Sequence, residues 1–177
     1  MFAAIKILIF FSLLTGVVYP IFVTGISQLI FKEKANGSLI EHNNKIIGSE
    51  LIGQNFNSPK YFQLRPSIIN YDPGLAGGAT NLSATSAVLI NSIKERSKIF
   101  KSHDLLTNSA SGLDPHLSKS AVYEQVENIM MARGIDKSDE KKVFKLIDKL
   151  TEKKTFGFLG NERINIVKLN LQMDKSF

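Results

Sequence analysis

The chain contains 177 residues, carries a formal net charge of +6 at pH 7 and lacks cysteine. The absence of cysteine excludes disulfides, thiol nucleophiles and cysteine-ligated metal sites. From Asn36 onward, 19 basic residues stand against 15 acidic ones; because most are scattered lysines without interleaved aromatic residues, we expect no nucleic-acid partner.

The amino-terminal segment predicts one transmembrane helix. From Ile7 to Phe31 the chain has no charged residue, and a helix of this length extends about 37 Å, more than the roughly 30 Å hydrocarbon core of a bilayer. A cleaved secretory signal is the alternative, because Lys6 precedes the apolar run, but such signals have shorter apolar regions. We therefore divide the chain into a membrane anchor with a short tail, residues 1–34, and a soluble domain, residues 35–177.

Small and hydroxyl-bearing residues inside the anchor indicate contact with a partner helix. Pro20 cannot donate a hydrogen bond to the carbonyl of Gly16, which predicts a bend and a freed carbonyl at this point. Hydroxyls are not satisfied by lipid, and glycines allow another backbone to approach. Lone anchors also contain such residues, so the composition is compatible with either role. The candidate partner-contact residues are Thr15, Gly16, Tyr19, Pro20, Thr24 and Gly25.

The charges that flank the anchor give only a weak indication of its orientation. Lys6 and the terminal amine lie on one side, and Lys32 and Lys34, offset by Glu33, lie on the other. A short tail before a long apolar run commonly stays in the cytoplasm, while whole domains cross the membrane with little regard to charge. We therefore expect the soluble domain to be extracytoplasmic, with membrane lipid around the single helix.

A hairpin and a long loop are predicted to open the soluble domain. Two apolar-rich runs, 38–40 and 45–52, flank Asn43 and Asn44, and asparagine tolerates the positive φ of tight turns. Residues 57–81 contain three prolines and several glycines, which predict a long ordered loop. Arg65 lies in this loop before Pro66, in extended backbone. It serves either as a clamp for loop carbonyls or a carboxylate, or, with Ser67, as an interface residue.

The second half of the domain is predicted to contain helices and strands, so that the soluble domain is mixed α/β (α+β). The helix formers and caps predict helices from Thr85 or Ser86 to Phe100, from Lys119 to Arg133 with Gly134 as terminator, and from the cap Ser138 to Leu150. A short buried strand is predicted at 105–107. Alternation of apolar residues through Val167, Leu169, Leu171 and Met173 predicts a final half-buried strand.

The loop at 108–118 contains the residue types of a serine hydrolase within a short stretch, namely Ser109, Ser111, Asp114 and His116. A catalytic triad is assembled in space from separate segments, and the serines here lack the G-x-S-x-G setting of a nucleophile elbow. The favoured interpretation is therefore a loop that turns at Gly112, with Ser111, Gly112 and Asp114 as interface candidates. A membrane-tethered hydrolase using Ser111 and His116 remains the alternative, as does a pilin-like filament subunit, although the start MFAAIK lacks the processing site expected of pilins.

Seven ordered blocks of the sequence resemble one known family. They are TGVVYP at 15–20, ANGSLI at 35–40, GSELIGQNF at 48–56, YFQLRPS at 61–67, SASGLDPHLS at 109–118, FGFLG at 156–160 and INIVKLNLQMD at 164–174. Together they resemble the C subunit of the bacterial Kdp potassium-transporting ATPase, the KdpC family, over nearly the whole chain.

The resemblance implies a non-catalytic subunit of a high-affinity potassium pump in the bacterial plasma membrane. The implied partners are a channel-like potassium-binding subunit, a P-type subunit that hydrolyses ATP, and a small single-helix subunit. The family's C subunit is described as a catalytic chaperone that raises the ATP affinity of the hydrolysing subunit. No firmly bound cofactor is implied: ATP would act through the hydrolysing subunit, and K⁺ is the transported ion. The alternative is an extracytoplasmic binding or assembly module unrelated to ATP.

The resemblance also singles out the glycine pair Gly77 and Gly78, with Asn81 nearby, as a candidate nucleotide or loop contact. The family's pair has been likened to the signature sequence of ABC-type ATPases, and adjacent glycines can present backbone N–H groups to a phosphate. Ala76 and Ala79 replace the serine and glutamine of that signature, so simple turn glycines are the alternative. Because ATP is cytoplasmic, direct contact with it and an extracytoplasmic domain exclude each other.

Overall fold

The computed structural model describes residues 2–42, 44–75 and 77–177, which fall into two compact units, Met1–Ser49 and Glu50–Phe177. Asn43 of the predicted turn and Ala76 beside the glycine pair lie outside the described residues. The division at Ser49 reflects compactness of the chain, and the functional boundary between residues 34 and 35 stays a prediction.

The first unit begins with the predicted apolar helix, which is confirmed. It consists of α1 (Phe2–Leu13), a π-helical turn (Leu14–Val18), α2 (Tyr19–Ile30) and a short α3 (Lys32–Ala35). The stretch Phe2–Ile30 is continuous over 29 residues and is long and apolar enough to cross a membrane. All its large apolar side chains are exposed, as expected of a helix whose solvent is lipid.

The π-helical turn lies where the sequence predicts a bend. The Tyr19 N–H donates to the Leu14 carbonyl, five residues back, immediately before Pro20. Proline provides no N–H for the Gly16 carbonyl, and a π turn is one of the ways in which a helix accommodates this loss. Sequence and structure therefore locate the irregularity of the helix at the same residues.

The predicted hairpin is confirmed. Strands β1 (Leu39–His42) and β2 (Lys45–Ser49) pair antiparallel, with Leu39 opposite Ser49 and a register shift after Ile40. Asn44 has a φ of 59°, the left-handed conformation that favours asparagine in turns. The Ser49 hydroxyl donates to the Gly37 carbonyl at 2.7 Å, which ties the hairpin to the turn before it.

The second unit opens with the predicted long loop: among the described residues from Glu50 to Ser86 no helix or strand occurs. The elements that follow are α4 (Ala87–Ser97), α5 (His103–Leu106), β3 (His116–Leu117), α6 (Lys119–Tyr123), α7 (Val126–Arg133), a 3-10 turn (Lys137–Asp139), α8 (Glu140–Leu150), β4 (Thr151–Glu152), β5 (Arg163–Asn165) and α9 (Ile166–Ser176). The three strands form an antiparallel sheet in the order β3-β5-β4.

The core of this unit lies around the central strand β5, against which α6, α8 and α9 pack. Its fully buried members include Phe62, Leu117, Val122, Val143, Ile147, Ile164, Ile166, Leu169 and Met173. The apolar spacing of the sequence predicts Val122, Val126, Ile129, Met130, Val143, Ile147 and Leu150 as the inward residues of α6 to α8. The first six are buried, as predicted, and Leu150 is half buried. Those of α4 are only half buried.

Several predicted elements in this unit are wrong or shifted. The strand predicted at 105–107 is part of the short helix α5, although Leu105 is buried as expected. The helix predicted from Lys119 to Arg133 is interrupted between Tyr123 and Val126, but ends at Gly134 in the left-handed conformation as predicted. Ser138 lies inside the 3-10 turn rather than capping α8, and the position before α8 is Asp139.

The predicted final strand is wrong, because residues 166–176 form the helix α9. The side-chain oxygen of Asn165 accepts a hydrogen bond from the Lys168 N–H at 3.1 Å and so caps this helix. Ile166, Leu169 and Met173 are buried at helical spacing. The strand β5 lies just before this helix and contains none of the alternating residues.

Candidate functional site

The YFQLRPS segment is held in place by two buried side-chain amides. Asn170 accepts from the Phe62 N–H at 2.9 Å and donates to the Phe62 carbonyl at 3.1 Å. Gln125 accepts from the Gln63 N–H at 2.8 Å and donates to the Gln63 carbonyl at 3.2 Å. Each amide thus bonds the loop backbone as a neighbouring β-strand would. The segment is consequently fixed just before Arg65.

Sequence reasoning missed both of these amides. Gln125 is 3% exposed and Asn170 is 1% exposed, and buried polar groups of this kind are nearly always hydrogen-bonded. The available signal was their helical spacing from apolar residues: Gln125 lies three residues after Val122 and four before Ile129, and Asn170 lies four residues after Ile166. A polar side chain at a core position indicates a partner that the local sequence does not identify.

Arg65 clamps the loop that follows α5, as one of its two predicted roles requires. Its Nε donates to the Thr107 carbonyl at 3.4 Å, and its Nη2 donates to Thr107 Oγ1 and to the Asn108 carbonyl, both at 3.2 Å. Arg96 of α4 reaches the same loop, where its Nη1 donates to the Leu106 carbonyl at 3.0 Å and to Asn108 Oδ1 at 3.1 Å. Two guanidinium groups therefore fix the backbone of residues 106–108.

Ser67 connects the long loop to the predicted turn at Gly112. Its hydroxyl donates to the Gly112 carbonyl at 2.7 Å and accepts from the Tyr71 N–H at 3.2 Å. The Tyr71 hydroxyl donates to the Arg65 carbonyl. Gly112 has a φ of +70°, and a Cβ on it would lie 2.8 Å from Ile69 Cγ1. Only glycine fits this position without displacement of its neighbours.

The carboxylate of Asp114 is part of the same cluster. Its Oδ1 accepts from the His116 N–H at 3.0 Å and lies 3.3 Å from His116 Nδ1. Burial raises the pKa of Asp114, but the hydrogen bonds from His116 and the nearby charge of Arg65 outweigh burial, so that its pKa is below the usual 3.8. Burial and then the charge of Asp114 raise the pKa of Tyr71 well above 10. Asp114 is therefore ionised and Tyr71 is a neutral donor at neutral pH.

Ser111 and His116 make contacts that differ from those of a nucleophile and its base. Ser111 Oγ accepts from the Leu113 N–H at 3.1 Å, a local turn contact. His116 Nδ1 faces Asp114, and its Nε2 lies 4.0 Å from Glu152. The hydroxyl of Ser109 is buried and has no hydrogen-bond partner among the described residues. The contacts of Ser111 and His116 are thus those of a folded loop, and the role of Ser111 at an interface stays a prediction.

The structure brings the glycine pair next to this cluster. The Gly78 N–H donates to the Ser111 carbonyl at 3.3 Å, and a Cβ on Gly77 would lie 3.4 Å from the same oxygen. Asn81 has a φ of 51°, a turn conformation. In this conformation the Gly78 N–H is bonded to protein rather than directed at a phosphate.

A small cleft opens beside Arg65, with a volume of about 150 Å³. It is lined by Gln54, Asn55, Phe56, Gln63, Leu64, Arg65, Pro66, Ser67, Asn70 and Tyr71. Pockets for drug-sized ligands and cofactors measure about 300–1,000 Å³, so this cleft suits a few waters or a small side chain rather than a nucleotide. Among the residues that the structure describes, no group of three acidic or histidine side chains is arranged to hold a metal.

The predicted partner-contact residues of the anchor are all exposed. A Cβ on Gly16 or on Gly25 would have nothing within 4 Å, so both positions have room for a neighbouring backbone. The Thr15 hydroxyl donates to the Phe11 carbonyl at 2.7 Å. Thr15 is therefore satisfied by its own helix and does not require a partner.

Comparison with known proteins gives matches over nearly the full length. Residues 1–175 match the family model described as KdpC, the K⁺-transporting ATPase c chain. The potassium-transporting ATPase KdpC subunit of Methylococcus capsulatus is 40% identical, over 97% of this chain and 95% of that protein. The subunit of the same name from Serratia proteamaculans is 39% identical, over 97% of this chain and 95% of that protein. The one from Caldanaerobacter subterraneus is 38% identical, over 96% of this chain and 91% of that protein.

Proposed function

The chain belongs to the KdpC family, and from this we propose that it is a membrane-anchored, non-catalytic subunit of a potassium-transporting Kdp ATPase. The observation that carries the proposal is the match over residues 1–175 to a family whose members are named as subunits of that pump. Its partners would be the channel-like potassium-binding subunit, the ATP-hydrolysing P-type subunit and the small single-helix subunit.

We propose that the anchor helix assembles the chain with the channel-like subunit. The open space at Gly16 and Gly25 supports close packing of another helix. The π-helical turn before Pro20 supports it as well, because distorted turns leave carbonyls that need a partner in lipid. Leucine at either glycine would fill the space that the neighbouring helix requires.

Co-purification tests this part of the proposal. The variants Gly16→Leu and Gly25→Leu, and Val17→Leu as a matched control on the same helix, are expressed with the other Kdp subunits. We expect both glycine variants to be lost from the purified complex and to abolish growth at limiting potassium, while Val17→Leu keeps both. Full assembly of the glycine variants would contradict helix packing as the role of the anchor.

We further propose that the subunit raises the ATP affinity of the hydrolysing subunit through the assembly rather than by binding ATP itself. The small volume of the cleft at Arg65 and the engaged N–H of Gly78 support an indirect effect. The apparent KM for ATP of the complex, measured with and without this chain, tests it. An unchanged KM would favour the second candidate, an assembly module unrelated to ATP.

The orientation of the soluble domain decides between direct and indirect action. Ser111 is exposed, and the chain has no cysteine, so Ser111→Cys gives a single reporter. We expect a membrane-impermeant thiol reagent to label it in intact cells, whereas Ala3→Cys, on the predicted cytoplasmic side, reacts only after the cells are opened. The reverse pattern would place the domain in the cytoplasm and make direct ATP contact testable at Gly77 and Gly78.

A further inference from the structure

The turn after β4 presents large apolar side chains to solvent. We define the aromatic tip as residues 155–159. Phe156 is 84% exposed, Phe158 is 73% exposed and Leu159 is 50% exposed. Single exposed apolar residues are ordinary, but three large ones within four consecutive positions indicate an interaction surface.

The aromatic tip is a defined turn that holds its rings outward. The N–H of Thr155 donates to the Leu159 carbonyl and the N–H of Leu159 donates to the Thr155 carbonyl, both at 2.9 Å. Phe156 has a φ of +55°, a conformation that is rare and strained for a bulky residue. The fold thus maintains two unfavourable features at one place, exposed aromatic rings and a strained backbone, which is characteristic of functional segments.

Most of the net positive charge of the second unit lies on the segment that carries the aromatic tip. Residues 140–163 contain seven basic residues against four acidic ones, an excess of three, whereas the whole of residues 50–177 has 18 against 14, an excess of four. Two of the four acidic side chains are neutralised by ion pairs, Glu152 with Arg163 and Asp148 with Lys119. Among the described residues, Glu140 and Glu162 have no basic group at ion-pair distance. Within the part of the chain that the structure describes, the lysines of this segment without a carboxylate at ion-pair distance are Lys141, Lys145, Lys149, Lys153 and Lys154.

We propose that the aromatic tip inserts into the interfacial region of an anionic bilayer, with Lys153 and Lys154 at the level of the lipid phosphates. Aromatic rings next to cationic side chains are the combination that lies in this region, since the rings leave water while the lysines attract anionic head groups. The tip is a projecting turn rather than a groove, so lipid can surround it without a complementary protein surface.

The membrane anchor removes the main obstacle to such a contact. Insertion of two or three side chains is weak by itself, as is the insertion of one short acyl chain. Because the tip belongs to the same chain as the proposed membrane anchor, its insertion is intramolecular and does not carry the cost of bringing a second molecule to the bilayer. A weak apolar contact is then sufficient to restrain the soluble domain at the bilayer.

The chain contains no tryptophan, so a single one can report on the tip. The variant Phe158→Trp and the control Met131→Trp, whose residue is 67% exposed on α7, are purified as full chains. They are placed in vesicles of phosphatidylethanolamine and phosphatidylglycerol with brominated acyl chains. We expect strong loss of emission for F158W, little loss for M131W, and a reduced loss for F158W when Lys153 and Lys154 are changed to glutamine.

Three results would overturn the proposal. Equal emission of F158W in brominated and ordinary vesicles would show that the tip remains in water. Equal quenching of F158W and M131W would show an unspecific association of the domain with lipid. A blue shift of F158W that occurs only in the assembled Kdp complex, without quenching by brominated lipid, would assign the tip to a protein partner. None of these results bears on co-purification of the anchor variants, so the proposed function is tested separately.

Discussion

Replacement of Gly112 by alanine should destabilise the soluble domain through two effects, backbone strain and crowding of the added Cβ. A control at Gly134 separates the two effects. The backbone at Gly112 has a φ of +70°, and an added Cβ would lie 2.8 Å from Ile69 Cγ1 and 3.2 Å from Ser67 Oγ. The left-handed conformation costs an L-residue about 1–2 kcal/mol, and overpacking costs about 1–3 kcal/mol more. We therefore expect Gly112→Ala to lower the free energy of unfolding by about 2–5 kcal/mol.

Gly134 provides the matched control. Its φ is +69°, but a Cβ added there would meet nothing within 4 Å, so Gly134→Ala should cost only the backbone term of about 1–2 kcal/mol. Urea unfolding of the full chain in detergent, followed by circular dichroism at a fixed wavelength, gives both values. If the two variants differ by less than about 0.5 kcal/mol, the uncertainty of such comparisons, the crowding of Gly112 by Ile69 and Ser67 is refuted.

Two further predictions concern polar side chains of the second unit, the buried Asn170 and the half-buried Asp114. Asn170→Leu removes both hydrogen bonds to the Phe62 backbone and leaves a buried N–H and a buried carbonyl unpaired. We therefore expect the free energy of unfolding in the same assay to fall by about 2–5 kcal/mol. The control Asn161→Leu, at an exposed position, should change it by less than about 0.5 kcal/mol. The pKa of Asp114 is lowered in the folded chain, so its ionisation stabilises the fold above the unfolded pKa near 3.8, and this contribution is lost as the pH falls through the folded pKa. Asp114→Asn should therefore be less stable than the parent chain at pH 7 and approach it in strong acid; a difference that does not depend on pH would contradict the assignment.

The parts of the fold that sequence predicted correctly depend on local patterns. The long apolar helix follows from a run without charges, and the hairpin follows from two apolar runs around asparagines, of which Asn44 adopts the expected positive φ. Gly134 ends α7 in the left-handed conformation for the same kind of reason. In each case the deciding residues lie within a few positions of one another, and so their pattern is visible in the sequence.

The final helix shows why a local pattern can mislead. Residues 166–173 satisfy both periods: Val167, Leu169 and Met173 alternate as in a strand, whereas Ile166, Leu169 and Met173 recur as in a helix. Two contacts favour the helix over the strand in the structure. Asn165 caps the helix by accepting from the Lys168 N–H, and the buried Asn170 side chain bonds the Phe62 backbone in the long loop. The second depends on a partner 108 residues away, which no window of sequence contains.

The sequence predicted which residues belong to the candidate site, but not which of them contact one another. Arg65, Ser67, Gly112 and Asp114 were each selected from their own segments, and the structure joins the loop at 61–71 to the loop at 106–116 through them. The meeting of Gly78 with Ser111 was equally invisible, because it depends on how two loops cross. Loops have no periodicity, so their mutual positions follow from the core that supports them.

The donors and acceptors of this cluster are used mainly on loop backbone. Arg65 and Arg96 bind carbonyls of residues 106–108, and Gln125 and Asn170 bind the backbone of the YFQLRPS segment. Side chains bonded in this way fix the shape of the loop surface. If that surface serves assembly, variants of Arg65 should lower the yield of the Kdp complex, while the complex that does form keeps its apparent affinity for ATP. A changed ATP affinity at normal yield would instead mean that the cluster takes part in the coupling to hydrolysis.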